Sequence, residues 1–263
     1  MRRSLMWLVP SLALAACGKP ADKAANTPEA DTASMAAPAE STAAAATGPQ
    51  AIVTVIYKLP KSPAAFEKYY SEKHLPLVTS KQQEIGFTKA ELTKFTTTLD
   101  GKKPTYYRQA ELYFDSMDAA KKGMATPGFK AVGADLANFA TGGLIGLVAV
   151  ETGDKGTAAC PALVTVIYNT PKDSAAFEQY YSANHLPLVT KVQPEIGFTR
   201  ADLVRFESAL DGSAPAEYRQ ATLCFNSMDE LKKGTATPGF KQVGDDLKNF
   251  ATGGLTALIG EQQ

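Results

Sequence analysis

The sequence predicts an α+β protein in which two copies of one βαββαβ unit follow each other along the chain. The first observation is a repeat: AIVTVIY at 51–57 returns as ALVTVIY at 162–168, and the offset of 111 residues holds without a gap to Gly254. The second is the order inside each copy, where β-branched runs alternate with segments of helical spacing. The third is length, because 263 residues give room for two small domains.

The first strand and the start of the first helix are well marked in both copies. The runs at 51–57 and 162–168 are rich in β-branched residues, as strands are. Ser62 and Asp173 are good N-cap residues at equivalent positions, and Pro63 suits the first position of a helix. We therefore expect a helix to begin at this point in each copy.

The first helix is expected to bury an aromatic stripe. Phe66, Tyr69 and Tyr70 are three and four residues apart along the sequence, as on the inner face of a helix. Pro76 lacks the N–H that a helix interior uses, so it is expected to break this helix. A further turn can then continue to Glu84.

The remaining elements complete the unit and repeat 111 residues later. They are a second strand at 87–95, a hairpin turn at 100–104, a third strand at 106–114, a short helix from Ser116, a helical segment at 132–139 and a last strand at 144–150. This order is typical of the ferredoxin-like fold, a four-stranded sheet with its helices on one face.

Each sheet needs cover on the face that carries no helix. The first strand is apolar at almost every position, so both of its faces are expected to be buried. We predict that the domains at 51–150 and 162–263 pack sheet to sheet as an intrachain pseudo-dimer, and that the chain is a monomer. A linker at 151–161 joins them.

The N-terminus has the features of a bacterial lipoprotein signal. Two arginines precede an apolar run at 5–15 that is too short to cross a bilayer, and Leu-Ala-Ala-Cys follows at 14–17. This resembles a lipobox, which predicts a signal peptide at 1–17 and a lipid anchor to the membrane at Cys17. Gly18 favours the outer membrane, on the periplasmic side. A twin-arginine export route stays open.

Composition narrows the remaining possibilities. Residues 18–50 contain no aromatic side chain and mostly Ala, Thr, Pro and acidic residues, so we expect a disordered linker. Basic and acidic residues balance at 27 each, and no excess of positive charge is available for a phosphate backbone. Nucleic acid is therefore not expected as a partner.

The histidines are the leading catalytic candidates. His74 and His185 are the only two in the chain, and they occupy equivalent positions. Tyr70 and Tyr181 precede them by four residues, on the same helical face, where they could share a hydrogen-bond network. An imidazole near a helix end can act as a general acid or base, but it can also simply cap carbonyl groups. Tyrosines of this kind are also common in cores.

Two pairs in the third strand are candidates for ligand binding. Arg108 and Arg219 are expected on the same face of the strand as apolar neighbours. A charge in this place is costly unless it is paired or binds an anionic group of a ligand. Tyr107 and Tyr218 are expected on the opposite face of the sheet. The alternation alone leaves open which face lines the pocket.

Cysteines outside the signal occur only in the second copy. Cys160 precedes the first strand of that copy, and Cys224 lies near the end of its third strand. These strands should be antiparallel neighbours, which brings the two residues close together. A disulfide is plausible in an oxidising periplasm, and two free thiols are the alternative.

The repeated motifs resemble those of EthD domains, members of the dimeric α+β barrel superfamily. The resemblance rests on the tyrosine that ends the first strand, the YYSEKHLPLV segment at 69–78, the AELYFDS strand at 110–116 and the Asp-x-x-Asn-Phe segment at 135–139. It covers nearly all of residues 51–263. It implies that the two domains enclose a barrel.

The function that the resemblance implies is binding of a small apolar or aromatic molecule in a barrel pocket, with an oxidoreductase activity or an accessory role in oxidative degradation. Two alternatives stay open: a cofactor-free acid/base isomerase or cyclase, and a ligand-binding or interaction lipoprotein without turnover. No phosphate-binding loop, haem-attachment motif or zinc-ligand spacing is present, so no cofactor or metal is evident.

Overall fold

The computed structural model describes residues 49–153, 156 and 158–263. The predicted signal peptide, the lipidation site Cys17 and the linker as far as residue 48 lie outside the described residues. Within the described part, no helix combines the length and the apolar character that crossing a membrane requires.

The first repeat has the predicted order of elements. Its elements are β1 (Ala51–Lys58), α1 (Pro63–Tyr69), a π-helical turn (Tyr70–His74), α2 (Leu75–Ile85), β2 (Lys89–Thr98), β3 (Tyr106–Phe114), α3 (Met117–Met124), α4 (Pro127–Asp135), a 3-10 turn (Leu136–Asn138) and β4 (Leu144–Glu151). Ser62 caps α1 by accepting a hydrogen bond from the backbone N–H of Ala65, as its sequence position predicts.

The second repeat has the same elements. They are β5 (Ala162–Asn169), α5 (Ser174–Tyr180), a π-helical turn (Tyr181–His185), α6 (Leu186–Ile196), β6 (Arg200–Ala209), β7 (Glu217–Phe225), α7 (Met228–Thr235), α8 (Pro238–Asp246), a 3-10 turn (Leu247–Asn249) and β8 (Leu255–Gln262). Asp173 is the N-cap of α5.

The strands form one closed antiparallel barrel. Around it the order is β1-β3-β2-β8-β5-β7-β6-β4, so each repeat contributes a ferredoxin-like sheet of four neighbouring strands. The sheets join at two seams, where β2 pairs with β8 and β4 pairs with β6. The predicted α+β fold with two repeats is confirmed. The repeats are joined by backbone hydrogen bonds between their edge strands, so their sheets form one continuous barrel.

The barrel interior is a filled core. It contains aliphatic and aromatic side chains from both repeats, among them Ile52, Ile56, Phe95, Leu147, Leu163, Ile167, Phe206 and Leu258. Buried polar groups also meet across the repeats: the side-chain amide of Gln220 donates to Glu111 at 3.3 Å. The face of β3 that carries Gln109 and Glu111 is therefore the one that points into the barrel.

The opposite face of each sheet is covered by its own helices. In the first repeat this layer buries Val53, Ile85, Phe87, Phe114, Ala120 and Val132, and the second repeat has the equivalent set. The hairpin between β2 and β3, like the one between β6 and β7, lies at a seam and reaches the other repeat.

Pro76 does not break the first helix, contrary to the sequence prediction. The backbone stays helical from α1 through the π-turn into α2, with Pro76 in the first turn of α2. The N–H of Leu75 donates to the carbonyl of Tyr70, five residues earlier, and this wider turn accommodates the proline. His74 therefore lies within a continuous helical segment and not at its end.

Tyr107 does not point away from Arg108, again contrary to the prediction. The register between β1 and β3 shifts at Tyr57 and Lys58, where a β-bulge gives β3 one extra residue. The bulge breaks the alternation, so that Tyr107 and Arg108 both contact Glu67 on the helix side of the sheet. Tyr218 follows the same pattern, since the register between β5 and β7 shifts at the equivalent place.

Cys160 and Cys224 form a disulfide in the second repeat. Their Cα atoms are 4.8 Å apart, and both residues are buried at the barrel core. Cys224 lies opposite Leu163 in the β5–β7 ladder, which is the antiparallel neighbourhood that the sequence predicts.

Candidate functional site

Each repeat encloses a cavity between its helices and the outer face of its sheet. The volumes are about 410 Å³ in the first repeat and about 390 Å³ in the second. Both walls are mostly apolar; in the first repeat they include Val53, Val55, Leu75, Val78, Phe87, Leu92, Leu112, Phe129 and Leu136. The family resemblance implies a pocket in the barrel, but the barrel interior is filled by side chains and these cavities lie outside it.

His74 lines the first cavity and is held by an aspartate. Its Nδ1 is 2.8 Å from Oδ2 of Asp135, at the end of α4. Asp135 also accepts hydrogen bonds from Tyr69 at 2.7 Å and from the amide of Asn138 at 2.9 Å. Because a carboxylate only accepts, Nδ1 carries the hydrogen, and Nε2 of the neutral ring is an acceptor. Nε2 has no hydrogen-bond partner among the described residues.

Burial and hydrogen bonding set the charges of this pair. Burial lowers the pKa of His74, and the hydrogen bond that its Nδ1–H donates to Asp135 only partly opposes that shift. Burial would raise the pKa of Asp135, but the hydrogen bonds from His74, Tyr69 and Asn138 outweigh it and lower this pKa. At neutral pH the pair is therefore a neutral imidazole beside a carboxylate.

Two tyrosines line the cavity beside the histidine. Tyr70 stacks on His74 with ring centroids 5.5 Å apart, and Tyr57 meets Tyr70 edge to face at 5.8 Å. Burial raises the pKa of Tyr70 to about 12 and that of Tyr57 well above its usual value, so both hydroxyls stay protonated. In the described part of the chain neither hydroxyl has a hydrogen-bond partner. Both can donate to a ligand.

The second cavity repeats this constellation. His185 Nδ1 is 2.8 Å from Asp246 Oδ2, and Tyr180 donates to the other carboxylate oxygen at 2.7 Å. Tyr181 and Tyr168 take the places of Tyr70 and Tyr57 in the wall. The two predicted histidines thus belong to two separate cavities, each next to the tyrosine that precedes it by four residues.

The arginines predicted to bind a ligand are engaged elsewhere. Arg108 is buried and forms a two-point ion pair with Glu67, at 3.1 Å from Nε and 2.5 Å from a terminal nitrogen. Tyr107 donates to the same carboxylate at 2.6 Å. Neither residue belongs to the cavity wall. This arrangement favours a structural role, in contrast to the predicted one.

Arg219 and Tyr218 have the equivalent placement in the second repeat. Arg219 donates to both carboxylate oxygens of Glu178, at 2.8 and 2.6 Å, and Tyr218 is likewise outside the cavity wall. Both arginines still influence the site, because the Arg219 guanidinium lies 5.0 Å from the ring of Tyr181 and that of Arg108 lies 4.9 Å from the ring of Tyr70.

Two parts of the site were not predicted from the sequence. The first is the aspartate that holds each histidine, although Asp135 belongs to a repeated motif. The second is the tyrosine that ends the first strand, Tyr57 or Tyr168. Its repetition in both copies was visible, but only the fold shows that it lines the cavity.

No metal site is found in residues 49–153, 156 and 158–263: no group of three or more His, Cys, Asp and Glu side chains is suitably placed. The polar groups at each cavity are the imidazole, the two tyrosine hydroxyls and further side chains, such as Gln82, Thr79 and Lys89 in the first repeat and Arg200 in the second. This set can accept one proton and donate hydrogen bonds to an oxygen atom.

Comparisons with known proteins agree with the two-repeat architecture. A sequence model of the EthD domain matches residues 58–143 and again residues 169–254. An uncharacterised 11.0 kDa protein from the thcB-thcC intergenic region of Rhodococcus erythropolis is 41% identical over 100 residues, which are 38% of this chain and 93% of that protein.

The chain is also similar to solved structures, over one repeat or over both. An EthD family protein of Bacillus halodurans, 24% identical, matches 38% of this chain and 95% of its own length with a TM-score of 0.35. An anthrone oxidase-like protein is 11% identical and matches 84% of this chain and 94% of its own, with a TM-score of 0.56. The latter likeness extends over both repeats.

Proposed function

Because this chain belongs to the EthD domain family, in tandem form, we propose that each repeat binds a small and largely apolar molecule and removes a proton from it. The ligand occupies the cavity between helices and sheet. His74 or His185 is the base, and the paired tyrosines donate hydrogen bonds to an oxygen of the ligand. The proposal rests mainly on one observation. A carboxylate fixes the neutral imidazole in an apolar wall, and its Nε2 atom has no hydrogen-bond partner among the described residues.

The chemistry follows from the protonation states. A neutral imidazole whose Nδ1–H donates to a carboxylate is a stronger base at Nε2, because the carboxylate stabilises the imidazolium that forms. The negative charge that develops on the ligand is stabilised by the protonated hydroxyls of Tyr57 and Tyr70. Ligands that suit this arrangement carry an acidic C–H or O–H next to an apolar ring.

Two fates of the deprotonated ligand distinguish the candidate functions. Return of the proton to another carbon is isomerisation, which needs only the groups at the cavity. Transfer of two electrons from the carbanion to an external acceptor, such as dioxygen, is oxidation, and this is the role that the family resemblance implies. The acid/base step is common to both, and we therefore propose it as the function of the site, with oxidation as the second candidate.

A generic carbon acid tests the base without knowledge of the natural ligand. Nitrobenzisoxazole is a small apolar aromatic molecule; loss of its C–H proton breaks the N–O bond and releases a coloured phenolate. We expect the protein to accelerate this reaction, and the double variant His74→Ala/His185→Ala to lose about 10²-fold or more of the rate. The double variant Glu72→Gln/Glu230→Gln, altered at exposed positions, is the control.

The proposal is wrong if the double histidine variant keeps the wild-type rate, or if the wild type is no faster than free imidazole at the same concentration. The variant Tyr70→Phe/Tyr181→Phe separates the roles, since it removes one hydroxyl donor from each cavity and leaves the base in place. It should lower the rate less than the histidine variant does and weaken binding of a phenol.

We further propose that the protein acts while tethered to a membrane on the periplasmic side, through a lipid on Cys17. The lipobox-like sequence supports this location. In membrane fractions of the producing cell, the wild type should sediment with the membrane and a Cys17→Ser variant should not. Equal partition of both proteins would contradict the proposal.

A further inference from the structure

Each cavity is completed by one leucine from the other repeat. Leu210, which follows β6 in the second repeat, lines the cavity of the first. Leu99, which follows β2 in the first repeat, lines the cavity of the second. The two leucines are equivalent by the repeat offset, and each reaches across a seam of the barrel. Neither repeat builds its full wall alone.

The backbone holds both leucines in the same way. The N–H of Leu210 donates to the carbonyl of Gly146 in β4 at 2.9 Å, and the N–H of Leu99 donates to the carbonyl of Ala257 in β8 at 2.9 Å. The two leucines thus occupy equivalent backbone positions, each beside the residue that accepts its hydrogen bond.

The residue opposite each leucine differs between the repeats. A Cβ atom built on Gly146 would lie 2.3 Å from Cδ1 and 2.9 Å from Cγ of Leu210, so only glycine leaves room for the leucine where it lies. Ala257 carries that methyl group in the second repeat. The leucine that faces it cannot take up the same position.

The packing of the two leucines differs in the same sense. Leu210 is partly buried and packs on the apolar cluster of the first repeat, which includes Val132 and Phe87. Leu99 is 37% exposed and is the exposed large hydrophobic residue of the described chain. The equivalent apolar cluster of the second repeat does not contain it.

We infer that the pairs Gly146–Leu210 and Ala257–Leu99 act as a closed and an open gate, so that the two cavities retain an apolar ligand for different times. The inference rests on the proposed function, in that the cavities bind such ligands. The first repeat is the slowly exchanging site and the second is the rapidly exchanging one. A single glycine-to-alanine difference between the two repeats would thereby give their cavities unequal ligand residence times.

Two reciprocal substitutions test the gate. Gly146→Ala introduces the methyl group into the first repeat and should displace the side chain of Leu210. Ala257→Gly removes the methyl group from the second repeat and should let the side chain of Leu99 pack against the cavity wall. The probe is naphthol, whose release is followed by its fluorescence after rapid dilution of the full-length protein. The wild type should release it in two phases of equal amplitude.

The two phases should respond separately. We expect Gly146→Ala to accelerate the slow phase by about tenfold, which corresponds to ~1.4 kcal/mol, and to leave the fast phase unchanged. Ala257→Gly should slow the fast phase alone. Leu210→Ala removes the same wall without adding a methyl group, so it should also accelerate the slow phase if Gly146→Ala proves too unstable to study.

A readout without ligand separates this inference from the proposed function. Cysteines placed at the gate, Leu99→Cys and Leu210→Cys, are labelled with a maleimide and located by peptide mass spectrometry. Position 99 should react faster than position 210. Adding Ala257→Gly should slow the labelling of position 99, and adding Gly146→Ala should accelerate the labelling of position 210.

Each outcome decides a different question. If labelling follows the gate but the wild type does not bind naphthol, the proposed binding function is wrong for this class of ligand and the unequal gates stand. If naphthol is released in phases that neither substitution moves, the gate inference is overturned and the binding function stands. Equal labelling of positions 99 and 210 overturns the gate inference regardless of the naphthol result.

Discussion

The proton on His74 is subject to two opposing influences. Burial in an apolar wall disfavours the charged imidazolium, whereas the hydrogen bond with Asp135 favours it. Burial is the larger of the two. A base that is neutral at rest yet stabilised once it gains a proton is what proton abstraction requires, and the surrounding rings, such as Phe139 at 4.7 Å, exclude water from it.

We predict that both histidines titrate below the usual value of 6.5. NMR titration of the ring protons measures this directly, because the chain contains only two histidines. Asp135→Asn should lower the midpoint of His74 further, since it removes the carboxylate that favours the proton, and should leave His185 unchanged as an internal control. A midpoint above 6.5 in the wild type would show a charged imidazolium and contradict the proposed base.

The same shift gives a pH dependence of stability. A histidine whose pKa is lowered in the folded protein binds fewer protons there than in the unfolded chain, at pH values between its two pKa values. The free energy of unfolding should therefore decrease as the pH falls through 6.5 and level off below the folded pKa. The double variant His74→Ala/His185→Ala should lack this step in denaturation curves.

The candidate site could be predicted only in part from the sequence. His74 and Tyr70 were found because a rare residue and a helical spacing recur in both copies. Asp135 is 61 residues from His74, and their contact depends on how α4 packs on the π-turn. Long-range contacts of this kind leave no spacing pattern in a single sequence.

Two irregular elements, a bulge and a π-turn, orient the side chains around each cavity. The bulge in β3 turns Tyr107 toward Glu67, so that this carboxylate is shared by a tyrosine and an arginine. The π-turn places Tyr70 and His74 on the cavity side of one helix. Strict alternation does not predict the bulge, and ideal helical spacing does not predict the π-turn, because each element contains one residue more than the regular pattern.

We predict that Glu67→Gln destabilises the fold by roughly 1.5–3 kcal/mol, the usual cost of losing hydrogen bonds to a charged group. Arg108 is only 5% exposed and would lose its charged partner. Denaturation with urea measures the change. Glu72→Gln makes the same charge change at an exposed position of the same helical segment and should have little effect. Equal effects of the two substitutions would contradict a structural role for the ion pair.

The lowered pKa of Glu67 also predicts that the free energy of unfolding decreases in acid. Burial would raise the pKa of Glu67, but hydrogen bonds from Arg108, Tyr107 and Lys94 lower it from 4.5 to about 2. A carboxyl group whose pKa is lowered in the folded protein stabilises the fold at pH values above its pKa in the unfolded chain. This stabilisation is lost as the pH falls from 4.5 toward 2. The Glu67→Gln variant should lose less stability over this range than the wild type.

The disulfide links the start of β5 to the end of β7 and should stabilise the second repeat. It encloses a loop with a sequence separation of 64 residues. We predict that Cys160→Ser/Cys224→Ser lowers the free energy of unfolding by about 2–4 kcal/mol, as measured by urea denaturation. Peptide maps of the wild type should show the two cysteines joined without reductant and separate with it. Identical maps under both conditions would rule the disulfide out.

The whole molecule is a closed barrel with two equivalent seams. Leu147 of β4 lies opposite Ala209 of β6, and Leu258 of β8 lies opposite Thr98 of β2, positions that correspond under the repeat offset. Each repeat therefore presents two strand edges that match the edges of the other. The ferredoxin-like order was predictable from the element sequence, whereas the seams were not, because edge pairing between copies leaves no mark on strand composition.

The seams predict that a single repeat will pair with itself. A fragment of residues 49–153 exposes the edges of β2 and β4, and a second copy can cover them because β4 is the counterpart of β8. We expect the fragment to sediment as a dimer in analytical ultracentrifugation, with the sheet content of the parent in circular dichroism. The fragment of residues 158–263 is the matched control and should also dimerise. A folded monomer of either fragment would show that its edges need no partner, and closure of the barrel would then not account for the tandem arrangement.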